Sequence, residues 1–255
     1  MIELDFDNEL SNEDYHKLPA LGSTNIKDIL KNPYKFASGI RMKQTQAMVI
    51  GSAIHCLILE PHKFNDEYSV QGEKSLDSAL NDFGKTKLSK SDYETAKECA
   101  DSVLREAGSL FQDGIAEHPF FSTFDGVAVK CKPDYYKDDL GLVIDVKKCQ
   151  DASPDGFQKD AAKYGYYISA PFYMDVLQSL GKRAERFIFV CVEDKAPFMV
   201  AVYEYDIMSL EFGRAEYKRA FDIFRRINEY AEPIYKDTMN SEQPQLLKQL
   251  IYKGF

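Results

Sequence analysis

Two aspartates and a lysine near the middle of the chain, Asp134, Asp145 and Lys147, have the types and spacing of a hydrolytic metal site. They lie in VKCKPDYYKDDLGLVIDVK, residues 129–147. Two apolar runs, residues 126–131 and 140–146, read as β-strands separated by a polar turn. The first delivers Asp134 just past its end. The second carries Asp145 and Lys147, which the two-residue period of a strand puts on one face. Converging at the end of such a hairpin, the carboxylates could hold a divalent cation, and the lysine could orient or deprotonate an attacking water while countering phosphate charge. That set is what metal-assisted phosphodiester hydrolysis requires. An isolated Asp-x-Lys is commonly a solvated face. Here it follows Leu142, Val143 and Ile144 without a turn, so it is expected at the end of a buried strand, where unpaired charge is costly. Pro133 restrains the backbone before Asp134 and favours an extended Lys132.

The elements that must position these groups can be read from pattern. Ser23, Thr24 and Asn25 cap a short helix that ends before Pro33. Residues 48–59 form a second helix stopped by Pro61, and 64–70 read as a strand. Residues 71–90 read as a mobile loop; its Gly84-Lys85-Thr86 is not a phosphate-binding loop, since Ala79 stands where the earlier glycine belongs. Residues 91–108 are helical, with Tyr93, Ala96, Ala100, Val103 and Leu104 on the apolar stripe. After the acid-bearing strands come helices at 157–166 and 169–180, Pro171 falling in the first turn of the latter. A hairpin at 187–192 and 199–205 precedes a long helix at about 210–230, burying Tyr217, Ala220, Phe221, Phe224 and Ile227. This order predicts an α/β fold with a mixed central β-sheet flanked by helices. A single domain is expected over 1–255, with a lead-in at 1–47, a core at 48–205 and a helical segment at 206–255.

With 255 residues, 44% of them hydrophobic, the chain can bury a substantial core. The N-terminus has no apolar stretch of the signal-peptide kind, and no run is long enough to span a bilayer. Five cysteines occur singly, without a CxxC pair, which fits reduced cytosolic thiols and argues against zinc or iron–sulfur binding. A net charge of −9 does not suggest a protein coated in nucleic acid. A local basic path is compatible with it, and Lys130, Lys132, Lys148, Lys182 and Arg183 are candidates. So are Arg214, Lys218 and Arg225, along one side of the last helix; an ordinary solvated face is the competing reading there. His55, in GSAIHCLILEP, reads on its own as a buried histidine, and Glu117 as a surface charge. Tyr164, Tyr166, Tyr167 and Tyr173 could stack on bases or simply pack the core.

In order, GSAIHCLILEP, GVAVKCKPD, LVIDVKKC and YGYYISAPFYMD resemble the RecE (exodeoxyribonuclease VIII) nuclease family and its phage and prophage relatives, a branch of the PD-(D/E)xK superfamily. The resemblance runs from about Asn12 to the 187–205 hairpin. It implies that Asp134 and Asp145 bind magnesium, with manganese able to substitute, and that Lys147 is the catalytic lysine. His55 and the Val146 carbonyl become further ligands, and Glu117 matches an acidic residue of the preceding strand. Tyr173 matches the tyrosine of a Gln-x-x-x-Tyr motif, but Ser169 stands in place of the glutamine and is too short to reach as far. The implied activity is 5′ to 3′ resection of double-stranded DNA ends, leaving 3′ single strands. The resemblance also implies a homo-oligomer, such as a ring-shaped tetramer, acting with a single-strand annealing protein in a bacterial or phage-infected cytoplasm. An endonuclease or repair nuclease on the same fold, or a DNA-end-binding accessory with a decayed site, are the alternatives.

Overall fold

The apolar run at residues 142–144 continues through Val146, and all four side chains are buried, as expected of a strand covered on both faces. The computed structural model describes residues 10, 12–40, 43–72 and 84–227. The first elements among the described residues are helices α1 (Asn12–Lys17), α2 (Ser23–Lys31), α3 (Pro33–Ala37) and α4 (Gln46–Leu59), then one turn, α5 (Phe64–Glu67). Strands β1 (Tyr68–Val70) and β2 (Thr86–Leu88) and helix α6 (Lys90–Ala107) follow. Next are β3 (Ile115–Ala116), β4 (Phe120–Phe124), β5 (Val127–Cys131), β6 (Tyr135–Lys137) and β7 (Leu142–Cys149). Helices α7 (Pro154–Lys163) and α8 (Tyr166–Ser179) lead to β8 (Arg186–Glu193), β9 (Val200–Glu204) and α9 (Ile207–Arg225).

The central sheet has the order β3-β6-β7-β8-β9. β7 and β8 are parallel and joined through α7 and α8, the kind of crossover a parallel pair needs; the other neighbours are antiparallel. Strand alternation gives the sheet two cores. Val143 and Cys149 of β7 pack with α2, α7, α8 and α9, while Leu142, Ile144 and Val146 pack with α4 and α6. The mixed sheet flanked by helices is therefore the one expected from the sequence. Among the described residues no helix is long and apolar enough to cross a membrane.

Several local expectations are corrected. The two acid-bearing strands are not a hairpin: β5 pairs with β4, and β7 pairs with β6 and β8. The supposed polar turn holds β6, whose Tyr135, Tyr136 and Lys137 are all buried. β7 runs on to Cys149, so Asp145 and Lys147 lie within the strand rather than at its end. Residues 64–70 divide into the α5 turn and β1, and Thr86–Leu88, expected in a loop, pairs in parallel with β1. The rest of that expected loop, 73–83, lies outside the described residues, as do 228–230 of the last helix and the segment to 255. Leu104 is exposed.

Helix α8 starts three residues earlier than expected, which places Pro171 in its interior. Proline has no N–H to give the Tyr167 carbonyl one turn back. Gly213 of α9 packs against that carbonyl: a Cβ there would sit 1.8 Å from Tyr167 O and 2.8 Å from Pro171 Cγ. Gly213→Ala is therefore expected to lower unfolding free energy by about 1–3 kcal/mol, measured by guanidinium titration. Wild-type stability in this variant would mean that the two helices separate at no cost.

Candidate active site

β6 stops at Tyr135, paired with Ile144, so the next outward-facing peptide of β7 on that edge, at Val146, has no strand partner. Its N–H and C=O point to the same side and must find partners elsewhere. The N–H donates to Asp134 Oδ2 at 2.6 Å. The carbonyl lies 2.9 Å from His55 Nε2 and accepts from Lys147 Nζ at 3.2 Å. The candidate site is built around this one peptide.

Each side chain arrives from a different element. Asp134 follows the β5–β6 connection, and its carbonyl accepts from the Glu117 N–H, which ties the residue after β3 to it. His55 projects from α4, whose first turn is capped by Thr45. Its Nδ1 lies 3.4 Å from Asp134 Oδ2 and 3.9 Å from Glu117 Oε1. Asp145 and Lys147 share the opposite face of β7, paired with one another and turned towards α8. Lys132 pairs with Glu117. Asp134 and Asp145 are only 9% and 8% exposed.

Burial works against charge on His55, but Asp134 and Glu117 outweigh it and push the imidazole up to about 10. Burial likewise opposes the Asp134 carboxylate, yet His55, Lys147 and the Val146 N–H bring it down to about 2. Asp145 goes the other way: burial raises it more than Lys147 lowers it. Lys147 is held above the usual lysine range, because Asp145 and Asp134 overcome the cost of its burial. An amine held charged in this way is suited to orienting a water and countering phosphate charge.

The donor set fits a divalent cation. Ligand atoms of His55, Glu117 and Asp134 lie within 4.8 Å of one another, and Asp145 Oδ2 is buried without a hydrogen bond, meeting only the Lys147 ammonium. Hard carboxylate oxygens suit magnesium or manganese, and His55 would have to shed its proton to join them. His55, Glu117 and Asp134 border a cleft of about 850 Å³, whose wall includes Glu60, Glu67, Gly84 and Thr86.

The other expected residues are spread over β5, β7, α8 and α9. Lys130 is buried and donates to the carbonyls of Tyr15 and Leu18, tying down the N-terminal helix instead of facing a ligand. Lys148, expected to contact DNA, pairs with Asp194 at 2.6 Å. Arg214 is bound by Asp175 and Glu211, and Tyr217 donates to the same Asp175; this network joins α8 to α9, away from the site. Lys218 is exposed on α9. Tyr173 is partly buried, hydrogen-bonded to Ser23, on the Asp145 side. Ser169 accepts a hydrogen bond from Lys27, at 3.1 Å. Lys27 was not singled out in the sequence; helical periodicity says which residues enter the core, and carries no signal that a flanking lysine meets a strand far along the chain.

The fold and this carboxylate–lysine arrangement define a PD-(D/E)xK-type domain. The family described as a PDDEXK-like domain of unknown function (DUF3799) matches residues 23–244, and the chain belongs to it. Its fold is shared by the "putative exonuclease" of Eubacterium rectale, at a TM-score of 0.65 and 12% identity, over 95% of this chain and 97% of that one. A looser likeness joins it to a phage related exonuclease from Haemophilus somnus, at a TM-score of 0.38 and 13% identity, over 84% and 96% of the two chains. No curated protein sequence matches. The family match agrees with the RecE-type resemblance of the motifs.

The charge pattern sets a pH response. His55, raised to about 10 in the fold, contributes stability that is fully present below its unfolded value near 6.5 and is lost as pH rises through about 10. In EDTA, unfolding free energy should therefore fall between those limits, and His55→Gln should flatten the decline. An unchanged slope in His55→Gln would show that another group titrates there.

Proposed function

We propose that the chain is a divalent-metal-dependent deoxyribonuclease, an exonuclease that resects double-stranded DNA from 5′ ends to leave 3′ single strands for annealing. The observation carrying this reading is the convergence of Asp134, His55 and Lys147 on the Val146 peptide, with Asp145 paired to Lys147 beside it. Magnesium, with manganese able to substitute, would be held by Asp134, Asp145, His55, the Val146 carbonyl and Glu117, and supplies Lewis acidity towards a phosphoryl oxygen and towards bound water. The protein's own part follows from its geometry. Asp134, fixed by the Val146 N–H, stays ionised and keeps its oxygens aimed at the site. Lys147 stays charged, orienting the attacking water and countering charge that builds on the phosphate. Lys132, beside Glu117 at the cleft, is placed to meet a backbone phosphate.

Exonuclease action, strand polarity and the recombination setting rest on the motif resemblance, and the exonuclease designation of the Eubacterium rectale neighbour supports the first of these. A homo-oligomer enclosing DNA and a single-strand annealing partner belong to the same reading, as does a cytoplasmic setting. Lys147→Ala is expected to lower turnover by about 10²–10³-fold while calorimetric magnesium affinity is largely kept. Asp134→Ala should lose both. Linear duplex should be degraded and covalently closed circles spared. Rapid cutting of closed circles would replace the exonuclease reading with an endonuclease one, and magnesium-independent binding of ends without cleavage would favour the accessory role.

A further inference from the structure

Lys27 is a charged side chain beside the proposed centre to which no step above gives a task. On α2 the neighbours Ile26 and Ile29 enter the core, and Lys27 reaches over Gly165 towards α8. Its Nζ donates to Ser169 Oγ at 3.1 Å and lies 6.0 Å from the centre of the Tyr166 ring. Lys147 Nζ lies 5.3 Å from that same centre. The carboxylate nearest to this pair of ammonium groups, Asp145, is engaged by Lys147. Among the described residues Lys27 has no carboxylate at ion-pair distance; its hydrogen bond is to the neutral hydroxyl of Ser169. Burial, and then Lys147, bring the Lys27 amine down to about 8. Two cations held this way, half out of water and with the Asp145 carboxylate already engaged by Lys147, are stabilised by an incoming anion.

We propose that Lys27, braced by Ser169, is a substrate-binding residue that takes a non-bridging oxygen of the DNA phosphodiester lying beside Asp145 and Lys147. This rests on the nuclease reading above. Serine at 169 cannot reach from α8 to such an oxygen; the lysine that hydrogen-bonds to it can. The contact a longer amide at 169 would make is thus supplied here from α2. An ammonium adds charge where an amide would add only a dipole, so the contact is salt-sensitive.

The test is equilibrium binding of a short linear duplex over a salt series, with calcium in place of magnesium, for wild type, Lys27→Met, Lys27→Gln, Lys27→Arg and Lys27→Met combined with Ser169→Gln. Thermal melting of each variant identifies those that fold, and Lys27→Gln keeps a donor for Ser169 should the methionine variant not fold. Loss of the charge should weaken binding about tenfold and reduce the log–log salt slope by about one unit. Lys27→Arg should bind like wild type, and Ser169→Gln should return part of the affinity to Lys27→Met without restoring the slope. Wild-type affinity and slope in both uncharged variants would overturn the role of Lys27 while wild-type cleavage of duplex in magnesium leaves the nuclease reading standing. A wild-type protein that neither binds nor cleaves duplex would overturn both.

Discussion

The Val146 peptide is the constraint on which the site depends. Because β6 ends opposite Ile144, the next peptide on that edge of β7 carries a donor and an acceptor that no strand satisfies. Asp134 takes the donor, and His55 and Lys147 share the acceptor. Each of these hydrogen bonds also fixes a side chain from a separate part of the chain: the β5–β6 connection, α4 and β7 itself. Extending β6 by two residues would satisfy the peptide and leave the three side chains without a common anchor. The interruption of the ladder is therefore what assembles the site.

Charge in the molecule is largely spent on itself. Lys130 holds the N-terminal helix by carbonyl contacts, Arg214 and Asp175 tie α9 to α8, and Lys148 answers Asp194. Within the site the same balance holds, each carboxylate facing a cation: Asp134 with His55, Asp145 with Lys147, Glu117 with Lys132. An acidic chain thus sets a cation against each of three buried or half-buried carboxylates. Lys27, beside them, meets a hydroxyl instead.

How much of this could be read beforehand depended on whether the signal was local. Asp145 and Lys147 were placed on one face because strand alternation is a property of the strand alone. The helices 48–59, 91–108 and 157–166 and the β8–β9 hairpin were legible from periodicity and from Pro and Gly punctuation. β6 was not, because Tyr135, Tyr136 and Lys137 between an aspartate and an Asp-Asp pair have the composition of a turn, and burial from both sides overrides it. Arg214 looked like part of an exposed basic stripe because its spacing on α9 is right for one; its actual partner, Asp175, comes from another helix. His55 acquired meaning only from its motif, since periodicity alone assigns it to a helix face and not to the peptide that face meets.

The division of β7 between two cores bears on how any long ligand can enter. Asp145, Lys147 and Lys27 stand on the side of α2 and α8, whereas His55 and Glu117 stand towards α4. The Val146 carbonyl nonetheless touches a member of each group, His55 and Lys147, at the edge of β7 that Tyr135 leaves uncovered. A ligand that reaches both groups meets them through that edge, with the helices of one core furnishing half of its surroundings and those of the other core the rest.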